Sequence, residues 1–189
     1  MLYNTFPYLF VPPTAEAITE DTARKWLRLE TGVTDSDSDM IKMCVDSAVK
    51  TFERVTMLQV MEATYQWVLP CFPDYIPYYV NIADIVIGYK EDKMATAWTP
   101  LDATKYQFYQ QGYRQNALEY ATDIQTISPQ IVRVSFKTGY ATATEIPADW
   151  LMPIRAILAE VWDNRMDGLA DKTRLSEKLM ANYAILAVR

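Results

Sequence analysis

Residues 131–165 read IVRVSFKTGYATATEIPADWLMPIRAILAEVWDNR, and this stretch passes from strand to helix within one short connection. Val132, Val134 and Phe136 alternate with Arg133, Ser135 and Lys137, the period of a strand with one face buried. Further on, Ile154, Ile157, Leu158, Val161 and Trp162 recur at helical spacing, so one apolar stripe turns inward while Arg155, Asp163 and Asn164 stay wet. Prolines are tolerated in a first helical turn, which predicts a helix starting close to Pro153 after a kinked turn. The stretch is a seam between a β region and a helical region.

Outward from that seam, the preceding half of the chain keeps changing period. Thr19 is a plausible N-cap, with Glu20 and Asp21 in the first turn of a short helix that carries Ala23, Trp26 and Leu27 and that Gly32 would end. A longer helix follows the acidic stretch Asp35, Asp37, Asp39, with Met40, Cys44, Ala48 and Phe52 in one row and Ile41, Val45 and Val49 in the next. Lys42, Asp46 and Lys50 fall on its opposite face. From Gln59 the period becomes two: Met61, Ala63, Tyr65, Trp67 and Leu69 predict a strand that Pro70 closes. Ile85, Ile87 and Tyr89 predict a second strand, Tyr106 and Phe108 a third, and 118–124 a fourth. After Gly168 a last helix is expected from 171–173, carrying Leu175, Leu179, Tyr183 and Leu186 and ending at Arg189.

The fold class these elements imply is α+β, a bundle of about four helices with an antiparallel β module inserted between its N-terminal and C-terminal helices. The expected organisation is an extended aromatic and proline-rich arm at 1–17, helices at 18–58, the β module at 59–138 and helices at 139–189. Segments 18–58 and 139–189 would form one helical core. The arm, with Tyr3, Phe6, Tyr8 and Phe10 among three prolines, either packs on its own domain or reaches a neighbour.

Composition removes whole classes of chemistry. The 189 residues include no histidine, so the commonest general base near neutral pH and the commonest metal ligand are missing. Cys44 and Cys71 are too few for a zinc site or a disulfide framework and read as two reduced thiols. The formal net charge of −6 opposes a large affinity for phosphate backbones. The N-terminal run MLYNTFPYLFVPP has no basic residue before its apolar ones, so it is not a convincing signal peptide, and no run approaches the ~20 apolar residues of a membrane span. A soluble protein without membrane partners is expected.

Two acidic constellations have the residue types of a functional site. Asp35, Asp37, Asp39 and Asp46 have the opening spacing of a calcium loop, but Met40 stands where that loop needs glycine and the closing residue is not Glu. Acids capping a helix are the plainer account. Glu62, Asp84 or Glu119 could supply a carboxylate pair for hydrolysis, yet twenty-four acidic residues produce such pairs by chance. No catalytic, cofactor-binding or metal residue is therefore expected. Thirteen tyrosines and five tryptophans fit a protein interface better than a single-strand binding groove, because the basic residues are interleaved with acids.

The segments PPTAEAITEDTARKWLRLE, DSDMIKMCVDSAVKTFE, IPYYVNIADIVIGYKED, VSFKTGY, IPADW and AILAEVWDNR together resemble the tailed-phage head-tail connector proteins, also called head-completion or adaptor proteins. The resemblance covers most of the chain in order and rests on packing motifs, none of them catalytic. Pro153 and the aromatic arm depart from the family's pattern. It implies a ring of about twelve copies beneath the portal, closed by cyclic symmetry and joining the DNA-filled head to the tail. Its implied partners are the chain itself, the portal protein and a tail-side connector, stopper or tail protein, with genomic DNA passing through without sequence-specific binding. The implied location is the virion neck, and the host cytoplasm during assembly. A net acidic ring suits a channel in which duplex must slide. Candidate portal or subunit contacts are Trp162, Leu179, Tyr183, Leu186 and Arg189, because the C-terminal residues stay apolar, together with Tyr8 and Phe10 of the arm. The alternatives are a DNA-binding or packaging accessory protein, marked by salt-dependent duplex binding, and a carboxylate hydrolase, marked by a cleft with perturbed acids.

Overall fold

The computed structural model describes residues 6–29, 35–77, 81–111 and 115–163. Among them lie three α-helices and two antiparallel sheets, arranged in two compact units: 6–14 with 62–139, and 15–61 with 140–163. The expected last helix, with Leu175, Leu179, Tyr183 and Leu186, lies outside the described residues.

In the β unit, β7 (Ile131–Thr138) is the central strand of five, flanked by β2 (Ala63–Leu69) and β3 (Ala83–Lys90). The sheet runs β1-β2-β7-β3-β4, with β1 (Tyr8–Val11) and β4 (Thr99–Pro100) at its edges. Tyr65 lies opposite Phe136, and Trp67 and Ile87 both lie opposite Val134, so the buried alternation of three strands falls on one face. That face builds a core with Val132, Ile76, Leu101, Leu118 and Ile124. Gly139 ends β7 at a φ of 104°, a conformation that glycine adopts freely and other residues do not.

A hairpin of β5 (Tyr106–Gln111) and β6 (Gln115–Tyr120) forms the second sheet. Tyr106, Phe108 and Tyr120 pack against the core, and the two tyrosine hydroxyls find backbone acceptors: Tyr106 Oη donates to Ile85 O at 2.6 Å and Tyr120 Oη to Pro73 O at 2.9 Å. Asn116 Nδ2 donates to Ile76 O at 3.2 Å and Leu118 N to Asp74 O at 2.8 Å, so the irregular 73–77 segment is tied along β6. The expected fourth strand at 118–124 is therefore corrected to Gln115–Tyr120. Beyond it the chain turns into a 3-10 segment, Thr122–Thr126, that inserts Ile124 into the core; Thr126 Oγ1 donates to Asp123 O there, a local bond that competes with strand pairing.

In the helical unit, α1 (Glu20–Leu27) starts at Thr19, whose hydroxyl accepts from Thr22 N at 3.4 Å. It ends at Arg28, which takes a left-handed φ of 55°, before the expected stop at Gly32. Glu20 bonds Arg24 at 2.7 Å within the helix and accepts from Ser38 Oγ of α2 (Asp35–Thr56) at 2.5 Å. Ser38 and Arg24 hold the Glu20 carboxyl below its ordinary range. Along α2, Ile41, Cys44, Val45, Ala48 and Phe52 are buried, whereas Met40 is exposed. Successive i, i+4 positions drift around a helix, so the row that reaches the core at Phe52 has rotated off it by Met40.

The third helix, α3 (Ala148–Asp163), begins more than a turn earlier than Pro153 predicts. Trp150 N bonds Pro147 O at 3.0 Å and Pro153 lies buried inside the helix, where it lacks a donor but still packs with Trp150, Ile154, Ile157 and Leu158. A parallel bridge, Met61 to Tyr140, and a bond from Tyr140 N to Val60 O at 3.0 Å close the entry to this unit.

Candidate interaction surface

Pro7 and Pro12 bracket β1, so ladder pairing is confined to the four residues between them. Tyr8 pairs with Gln66 and its hydroxyl donates to Gln66 Oε1 at 2.7 Å; Leu9 pairs with Tyr65 and Val11 with Thr64, leaving Phe10 at a bulge. Among the described residues the strand pairs on one side, with β2. All four side chains are exposed, Phe10 at 56% and Leu9 at 48%, and Phe6 extends the patch. An uncharged apolar edge of this kind is an open template for another chain, since native edges are ordinarily blunted by charges or cover.

Of the sequence-predicted contact residues, Tyr8 and Phe10 are brought together on this strand. Trp162 belongs to the helical unit, half-buried near the end of α3. Leu179, Tyr183, Leu186 and Arg189 lie outside the described residues. Phe6 stands in the sequence only as one of the arm's aromatics, and Leu9 and Val11 escape sequence reasoning, although a short apolar run between prolines fits an edge strand. Exposed Met43 and Val55 on α2 and Met152 on α3 are further surface apolar residues with no signal beyond the helical period.

The carboxylates considered for catalysis are held as surface ion pairs or lie apart. Lys137 on β7 places its Nζ 2.9 Å from Asp84 and 3.6 Å from Glu62, which brings these two acids together across three strands on a lysine. The hydrogen bond to Asp84, then its charge, pushes the Lys137 ammonium above its ordinary range. Glu119 borders a separate open groove of about 530 Å³ with Asp74, Phe72 and Ile127. In the calcium-like stretch, 35–46 is continuous helix, which spreads its acids along an axis and does not wrap them around an ion. Among the described residues no three His, Cys, Asp or Glu side chains are grouped to hold a metal, and no helix is long and apolar enough to cross a membrane.

Elsewhere on the sheet, two cations lie over the Trp98 ring, Lys90 Nζ at 4.8 Å and Arg133 Cζ at 4.6 Å from its centroid. Lys90 also donates to Ala95 O, so this buried lysine is tied to the loop after β3 by a hydrogen bond and a cation–π contact. The charges of this face thus serve its own packing.

No family model and no curated protein matches the sequence. Solved structures do match the fold. A chain from the neck of an empty GTA particle computed with C6 symmetry aligns at a TM-score of 0.78 and 18% identity, over 100% of this chain and 98% of that one. A chain from the virion of a native gene transfer agent particle aligns at 0.78 and 17%, over 97% of each. A third, from the neck of a native GTA particle computed with C12 symmetry, aligns at 0.68 and 17%, over 100% of this chain and 98% of that one. Over its whole length the chain therefore shares the fold of chains found in the necks of gene transfer agent particles.

Proposed function

We propose that the chain is a structural connector of the neck of a tailed-phage-like particle, forming a ring beneath the portal and joining the DNA-filled head to the tail. The observation that carries this reading is the end-to-end match in both directions to neck chains of gene transfer agent particles. A shared domain inside an otherwise different protein would leave one of the two chains partly uncovered. The C6 and C12 symmetries of those neighbours support a closed ring, and the exposed apolar β1 edge supplies a surface that association would cover. In this reading the ring surrounds passing DNA without gripping it, since a net charge of −6 per copy disfavours phosphate contact. Trp162 and the C-terminal Leu179, Tyr183, Leu186 and Arg189 are the portal-side contacts, and Tyr8 and Phe10 meet the neighbouring copy.

Deletion of the gene tests the role. Electron microscopy of the resulting particles is expected to show heads with portals and no attached tails. Tailed particles of normal appearance would overturn it.

A further inference from the structure

In the ring proposed above, each copy meets the next through two different patches, because cyclic closure uses heterologous contacts. We propose that one patch is the groove beside β6 and that it receives the outer face of α2 from the next copy, with Lys50 and Arg54 of one copy against Asp74 and Glu119 of the other. This contact rests on the connector reading and assigns the boundary between copies.

Every copy carries a formal charge of −6, so contacts between copies are repulsive wherever acids face acids. A patch of each sign on every copy offsets that repulsion. The groove supplies the negative one. Phe72, Leu118, Ile124, Ile127 and Pro129 line it at buried or half-buried positions, Asp74 and Glu119 are exposed, and no Lys or Arg stands among its described lining residues. Leu118 N donates to Asp74 O at 2.8 Å, so the two carboxylates stand on adjacent backbone segments. Neither forms an ion pair among the described residues.

The outer face of α2 supplies the positive patch. Met43, Ser47, Lys50 and Arg54 follow one another at steps of four, three and four residues and are all exposed, which makes them one ridge opposite the buried Ile41, Cys44, Val45, Ala48 and Phe52. Lys50 and Arg54 are about 6 Å apart along the axis, a separation of the same order as that between side chains on adjacent backbone segments. Met43, 66% exposed and two turns before Lys50, is the apolar side chain placed to enter beside Phe72 and Ile127, as in other helix-in-groove contacts. Asp46 flanks the ridge, and Glu53 is turned to Val60 N and Gln59, so the ridge stays net positive.

Other described cations fit less well. Lys105 holds Asp123, Lys137 holds Asp84 and Glu62, Arg24 holds Glu20, and Lys90 and Arg133 lie over Trp98. Lys25 and Arg28 are exposed, but Arg28 leaves the helix in a left-handed conformation. Lys42 and Arg155 have no second cation one helical turn away.

Charge reversal decides it. Asp74→Lys/Glu119→Lys chains and Lys50→Glu/Arg54→Glu chains are each offered to the portal ring of the same genome, and bound copies are counted by native mass spectrometry. All four side chains are exposed, so both variants are expected to keep the parent's far-UV spectrum and melting temperature. Each variant alone is expected to need at least about tenfold more protein to assemble. An equimolar mixture is expected to assemble like the parent, because alternating copies present opposite signs at every boundary; a contact within one copy would gain nothing from mixing. Normal assembly of either variant alone, or a mixture as defective as its components, would overturn this pairing, while the parent's ring leaves the connector reading standing. A parent chain that forms no ring on the portal would overturn both. As a second variant, Asp74→Asn/Glu119→Gln is expected to weaken assembly less than the reversal does; no weakening would count against the contact.

Discussion

The indole of Trp150 on α3 meets the phenyl ring of Phe52 on α2 at a centroid separation of 5.6 Å, and neither side chain has any exposure to solvent. Tyr140 approaches the same indole edge-on at 5.5 Å. This aromatic cluster joins the two principal helices of the helical unit. Trp150→Ala is therefore expected to destabilise that unit by about 3–5 kcal/mol, and Phe52→Ala by a similar amount. A double-mutant cycle from urea unfolding should return a coupling of about 0.5–1.5 kcal/mol; strictly additive losses would mean that the rings do not interact.

At the other end of α2, Glu53 accepts from Val60 N at 2.9 Å and from Gln59 Nε2 at 2.7 Å, pinning the turn in which Met57 adopts a left-handed φ of 57°. Burial is the largest influence on its carboxyl and raises it above the ordinary value of 4.5. The folded state thus holds the proton more tightly than the unfolded one. The contribution of this group is fully present below about pH 4.5 and is lost as pH rises through the raised folded value. Glu53→Gln keeps an acceptor without the charge. Its stability relative to the parent chain should increase as pH climbs from 4 toward 7, a trend that denaturant titration at several pH values would reveal. A constant difference would contradict the burial argument.

The hairpin is fastened by tyrosine hydroxyls. Tyr120→Phe leaves Pro73 O without its donor and is expected to cost about 1–3 kcal/mol. Burial and the nearby Asp74 charge push the Tyr120 hydroxyl well up, so it should not ionise before the protein unfolds in an alkaline titration followed by tyrosinate absorbance. Ionisation of all thirteen tyrosines in one step near the ordinary value would contradict this placement.

Much of this fold is legible in the sequence, and the misses have identifiable causes. The period-two run 131–137 is the central strand β7, and the Thr19 cap with Glu20 and Asp21 does open α1. Both are local signals that tertiary structure has no reason to override. The end of α1 is illegible because Arg28, and not a glycine, takes the left-handed position, whereas the change of period at Gln59 places the end of α2 to within a few residues. Pro153 misdirected the start of α3, since its lost donor is offset by packing among buried neighbours that a sequence does not display. β1 reads as an arm in the sequence because four residues between prolines carry too little pattern. The candidate surface is only partly legible for the same reason: Tyr8 and Phe10 attract notice as aromatics, whereas Leu9 and Val11 become conspicuous only when burial is known.

Removal of residues 186–189 tests the proposed portal contact. The shortened chain is expected to keep its far-UV spectrum and melting temperature and to lose co-sedimentation with portal rings. Retained co-sedimentation would assign the contact elsewhere.

Native mass spectrometry of the purified protein, alone and mixed with the portal ring of the same genome, tests the proposed ring-forming connector. A portal complex carrying about twelve added copies is the expected result, given cyclic closure on a symmetric platform. A chain that stays monomeric and leaves the portal mass unchanged would contradict the account.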